Sequence, residues 1–124
     1  MSVAKIKSLS FQLIYVEELQ PAVEFYTKFF GFKKKFDMSG DQIYGTTGDT
    51  EMWIGGGFKR TEQSADHTRS CTMMEIDSAS RLFEAMKADG VKLYQESPVE
   101  MQDNVFWFQF QDPAGNILEL LGGK

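Results

Sequence analysis

The chain repeats itself. Ser10-Phe11-Gln12-Leu13-Ile14-Tyr15-Val16-Glu17 lies over Ser70-Cys71-Thr72-Met73-Met74-Glu75-Ile76-Asp77, two short apolar segments that each leave through an acidic residue. A doubling of this kind constrains the fold strongly, because one supersecondary unit must be built twice. Both segments read as strands, and a helical stretch follows each. In the first, Pro21 stands near the start, where its missing N–H costs nothing, and Ala22, Phe25, Tyr26 and Phe29 recur at i, i+3, i+4, i+7. In the second, Ser78 or Ser80 can cap, and Ala79, Leu82, Phe83 and Met86 keep the same spacing. Gly31 and Gly90 close the two stretches, 20 residues after Phe11 and 19 after Cys71. The expected helices are 20–31 and 79–89.

The second halves also match. Gly48-Asp49-Thr50-Glu51-Met52-Trp53-Ile54-Gly55-Gly56 overlays Gly115-Asn116-Ile117-Leu118-Glu119-Leu120-Leu121-Gly122-Gly123, each opening on a hairpin-type turn. The expected strands are Lys33–Met38, Gln42–Thr46 and Glu51–Ile54 in the first unit. In the second they are Val91–Tyr94, Val105–Gln111 and Ile117–Leu121. The fold class is therefore α+β, with two βαβββ modules at about 5–57 and 68–123 and a polar connector between them. A four-stranded sheet with one covering helix leaves its other face bare, so the modules are expected to join, about an approximate two-fold axis, around a cleft. The whole chain, 1–124, reads as one domain.

Composition closes several alternatives. Thirteen Lys and Arg against 18 Asp and Glu give a net charge of −5, the wrong sign for a nucleic-acid partner. No apolar run is long enough to span a membrane, and the first ten residues lack an apolar signal core. One cysteine makes no internal disulfide and fits a reducing cytoplasm. The lone His67 sits in the connector and reads as a solvated side chain.

Val16-Glu17-Glu18-Leu19, Phe25-Tyr26, Phe30-Gly31-Phe32 and the run Phe110-Gln111-Asp112-Pro113-Ala114-Gly115-Asn116-Ile117-Leu118-Glu119-Leu120 resemble the glyoxalase/bleomycin-resistance/dioxygenase superfamily, also called vicinal oxygen chelate proteins. The resemblance implies that family's fold. In its metal-using members, ligands come from the first and last strands of the two units. Carried over, those positions are Phe11, Met52, Cys71 and Glu119. A phenyl ring has no lone pair to give a hard divalent ion, and an iron site of two histidines and a carboxylate needs more than this chain's one histidine. Glyoxalase-type isomerisation and extradiol cleavage need an ion to polarise vicinal oxygens, and so are disfavoured. No metal and no cofactor are expected.

Strand alternation extends the reading from these positions. With Phe11 facing the cleft, Leu13 and Tyr15 do so too; with Cys71, Met73 and Glu75. Trp107 and Gln109 are placed in the cleft, Phe106, Phe108 and Phe110 under the helices, and Gln42 is taken as the repeat mate of Gln109. Apolar walls with a few polar points suit a small-molecule site. Glu119, beside Phe11 and Cys71, is the candidate general base or the receptor of a cationic group. The expectation is a metal-free protein that binds an aromatic or amphipathic small molecule as a homodimer. The competing reading is a lyase, isomerase or dioxygenase-like enzyme that uses Glu119 as base or metal ligand. A third is a degenerate pocket serving only as an interaction module.

Overall fold

The computed structural model describes residues 3–7, 12–38, 41–60 and 71–124. Phe11 and His67 lie outside the described residues. The first unit runs β1 (Gln12–Tyr15), α1 (Leu19–Phe30), β2 (Lys33–Met38), β3 (Gln42–Thr47) and β4 (Thr50–Gly55). The second runs β5 (Met73–Ser78), α2 (Ala79–Ala88), β6 (Val99–Gln102), β7 (Val105–Gln111) and β8 (Ile117–Gly123). Their sheets have the same strand order, β1-β4-β3-β2 and β5-β8-β7-β6, with the first strand of each unit parallel to its last. The fold is the α+β pair of βαβββ modules expected from the repeat.

The helices form where the apolar spacing placed them, and their ends have local causes. Ala22, Phe25 and Tyr26 are the buried stripe of α1, and Ala79, Phe83 and Met86 that of α2. At the start of α2, Ser78 Oγ accepts the Arg81 N–H at 3.1 Å. Gly31 ends α1 at φ 66°, a left-handed conformation that a Cβ would strain, and its N–H caps the Thr27 carbonyl.

Both helices pack on the same strand. Phe25 of α1 stacks on Phe110 with ring centroids 5.8 Å apart, and Phe83 of α2 meets Phe108 edge-on at 5.2 Å. Phe108 and Phe110 are fully buried, each contributing about 1.5–3 kcal/mol by leaving water. One apolar core thus draws on both units, from Ile14 and Ile54 to Met86 and Leu120. Among the described residues no helix is long and apolar enough to cross a membrane.

One expected strand is corrected. Val91–Tyr94 makes a single bridge, Leu93 to Phe110, and the edge strand is Val99–Gln102. β7 is seven residues long, and its neighbour is split. Lys92 and Tyr94 bond the Gln111 and Gln109 end, the chain swings out through Gln95–Pro98, and β6 returns along Val105–Trp107. A tight turn at Asp103-Asn104, with Asn104 at φ 57°, closes that hairpin.

Candidate functional site

Each sheet turns one face to the helices and leaves the other open. On β8, Leu118 and Leu120 are buried in the core and Glu119 points the other way. Glu119 stands opposite Gln109 of β7 and Met73 of β5, with Trp107 two residues along from Gln109. Four side chains meet there. The Trp107 indole donates to Glu119 Oε1 at 2.6 Å, and the Cys71 thiol and Gln109 amide donate to Oε2 at 3.1 and 3.3 Å. An ionised carboxylate only accepts, and all three neighbours present donors.

A residue that sequence reasoning did not single out fixes this arrangement. Gln95 Oε1 accepts the Gln109 backbone N–H at 2.7 Å, and Gln95 Nε2 donates to the Gln109 side-chain oxygen at 2.9 Å. With its oxygen held, the Gln109 amide can turn only its NH2 toward Glu119. Gln95 lies in the segment that leaves the sheet edge, which carries no apolar period to betray a role.

Cys71 is held as a thiol. Partial burial, then the hydrogen bond to Glu119 and its charge, push its pKa up to about 11 from an ordinary 9.0. The thiolate is the reactive form, so alkylation by iodoacetamide at pH 8 is expected to be about a hundredfold slower than for a free thiol. The rate should climb as pH rises toward 11, and Glu119→Gln should quicken it at pH 8. A wild-type rate equal to that of free cysteine contradicts the contact.

The first sheet is arranged differently. Leu13 and Tyr15 lie on its open face, 43% and 49% exposed, and share a recess of about 140 Å³ with Cys71. Gln42 accepts the Trp53 indole N–H at 2.8 Å and so belongs to this sheet, away from Glu119. Met73, 46% exposed, flanks Glu119, and Glu75, opposite Leu121, lines together with Met73 a pocket in whose lining Glu119 has no part.

Met52 is a correction. It is 1% exposed in the helix-side core, opposite Gln12, and does not reach the open face. The residue placed as Glu119 is placed, opposite β1 Leu13 and β3 Tyr44, is Trp53. By the same register the mate of Gln109 is Tyr44, and Gln42 corresponds to Trp107. The cause is turn length. β3 and β4 are joined by Gly48-Asp49 alone, β7 and β8 by five residues, Asp112–Asn116, so aligning the glycines slips the register by one. A slip of one residue sends every side chain to the opposite face.

The donor set does not suit a hard divalent ion. Among the described residues no group of three His, Cys, Asp or Glu converges. Both Glu119 oxygens already accept hydrogen bonds, one from an indole that has no lone pair to offer.

The family model of the Glyoxalase/Bleomycin resistance protein/Dioxygenase superfamily matches residues 6–120. Among solved structures, the chain is similar to the genomically encoded fosfomycin resistance protein FosX from Listeria monocytogenes. The identity is 22%, with 97% of this chain and 96% of that one covered and a TM-score of 0.77. The same Listeria protein in complex with Mn(II) and a sulfate ion matches at 20% identity, 97% and 93% coverage and a TM-score of 0.73. An integron cassette protein from the mobile metagenome of the Halifax Harbour sewage outfall matches at 19% identity, 94% and 99% coverage and a TM-score of 0.70. No curated protein matches the chain.

Proposed function

This chain belongs to the Glyoxalase/Bleomycin resistance protein/Dioxygenase superfamily, and from that membership we propose that it binds a cationic aromatic or amphipathic small molecule without a resident metal. The observation that carries the reading is the Glu119 carboxylate, held by Trp107, Gln109 and Cys71 beside the exposed thioether of Met73. A fixed negative charge next to an indole and a polarisable sulfur is a receptor for a flat cation, which gains both charge pairing and contact with the ring. The net charge of −5 draws such ligands in. Proflavine, a planar aromatic cation, is a suitable test ligand, read by quenching of tryptophan emission.

The Mn(II) complex of the Listeria relative favours a second reading, a metal-dependent enzyme with Glu119 as ligand. That reading requires Glu119 to release its indole and amide donors, and it finds no convergent partner ligands among the described residues. Glu119 as a general base has less support, since three donors already take up most of the acceptor positions on its two oxygens.

We take residues 1–124 as one working domain and place it in the reducing cytoplasm on its single cysteine. We also propose that a second copy covers the open faces. Leu13, Tyr15 and Met73 are each more than two-fifths exposed there, and large apolar residues grouped on a face mark a contact. A symmetric homodimer burying more than about 1,000 Å² is expected, and it would lay one copy's aromatic face over the other's Glu119. Light scattering at micromolar concentration should give twice the chain mass. A particle of single-chain mass contradicts the dimer.

A further inference from the structure

Gln12 is out of keeping with its strand. β1 sends Gln12, Ile14 and Val16 to the helix side, where Ile14 and Val16 are 4% and 1% exposed members of the core. Gln12 Nε2 is buried there with no hydrogen-bond partner among the described residues. An unpaired amide donor opposes folding, and a methionine in its place would not, so the glutamine is unexplained by packing.

Beside it lies a pocket of about 340 Å³ between β1 and β4 of the first sheet and β5 of the second. Met73, which flanks Glu119, belongs to its lining, whereas Trp107, Gln109 and Glu119 do not. We propose that this pocket is a second ligand site, which shares Met73 with the Glu119 face, for a small uncharged molecule that carries a carbonyl acceptor on an apolar body. Gln12 lines the pocket, and turning its side chain would bring the buried N–H to a ligand carbonyl, with Thr50 alongside. Phe30, Met52 and Met74 give an apolar wall, and the thioethers adapt to ligand shape. Glu75, which also lines the pocket, repels a carboxylate and so selects an amide or ketone over an acid. The volume is at the small end of ligand sites, which run from about 300 to 1,000 Å³.

The test uses the full chain labelled with methyl-13C methionine and 15N, titrated with benzamide and, separately, with benzoate. Benzamide should move the Met52 and Met74 methyl signals and the Gln12 side-chain NH2 saturably, and benzoate should bind at least tenfold more weakly. Gln12→Met should abolish those shifts and raise the melting temperature, while Glu119→Gln should leave benzamide binding unchanged. A Gln12 amide that stays in place up to the solubility of benzamide overturns the proposal, and the wild-type spectrum alone shows it. Equal binding of benzoate overturns the selectivity, and loss of binding in Glu119→Gln assigns the ligand to the open face.

Discussion

Replacing Asp112 by alanine is expected to remove at least about 3 kcal/mol of stability, a large share of what holds a domain of this size folded. Asp112 is 3% exposed and its carboxylate accepts four hydrogen bonds. Tyr26 OH donates at 2.7 Å from α1, the N–H groups of Ala114 and Asn116 at 2.9 Å each, and Asn116 Nδ2 at 3.0 Å. That same Asn116 amide also reaches the Tyr15 carbonyl at the end of β1, at 2.9 Å. Asp112 therefore builds the β7–β8 turn and fastens it to the helix of the other unit, while Asn116, held by Asp112, ties it to that unit's first strand. Truncation leaves the buried Tyr26 hydroxyl without its acceptor, at about 1–3 kcal/mol for a buried orphan, and takes three further bonds from the half-buried turn.

Tyr26→Phe removes one contact and should cost about 1.5–3 kcal/mol, as for hydrogen bonds to charged groups. Burial, then the charge and hydrogen bond of Asp112, raise the Tyr26 pKa well above its ordinary 10.0. A raised value in the folded state means that the contribution is full below pH 10 and is lost as pH rises beyond it. Urea midpoints at constant slope measure both variants. An Asp112→Ala protein within about 0.5 kcal/mol of wild type, the range of ordinary surface changes, contradicts the assignment.

The second large effect falls on binding. Glu119→Gln keeps the shape of the site and an oxygen for the Trp107 indole but removes the charge. Proflavine affinity should fall ten- to a hundredfold, the equivalent of about 1.5–3 kcal/mol for a charge-assisted contact. Trp107→Ala should weaken binding further by the stacking contribution, about 0.5–1.5 kcal/mol beyond area, with far-ultraviolet circular dichroism unchanged. Trp107 is only half-buried, so its removal leaves the Phe108 and Phe110 core intact. Unchanged proflavine affinity in Glu119→Gln contradicts a cation receptor, and unfolding of Trp107→Ala makes the indole part of the core.

The repeat and the helices were legible because apolar spacing is a direct imprint of burial. Ala22, Phe25 and Tyr26, and Ala79, Phe83 and Met86, are the buried stripes that their spacing announces. Strand alternation placed Trp107, Gln109 and Glu119 on one face for the same reason. Met52 was misplaced because alternation gives a face only after the register is known, and the register depends on turn length. The Val91–Tyr94 segment has apolar residues but surrenders half of β7 to β6, a division set by the turn at Asp103-Asn104. Gln95 and Gln12 were invisible because their importance lies in partners made or missing across the fold, and no local pattern records that.

The most direct test of the Glu119 site is the 15N–1H signal of the Trp107 indole, followed while Zn²⁺ and proflavine are added in separate titrations. A 2.6 Å bond to a carboxylate should place that proton well downfield. It is expected to stay there through an excess of Zn²⁺ and to move saturably with proflavine. A stoichiometric upfield shift with Zn²⁺, as the carboxylate leaves the indole for the ion, would contradict a metal-free receptor.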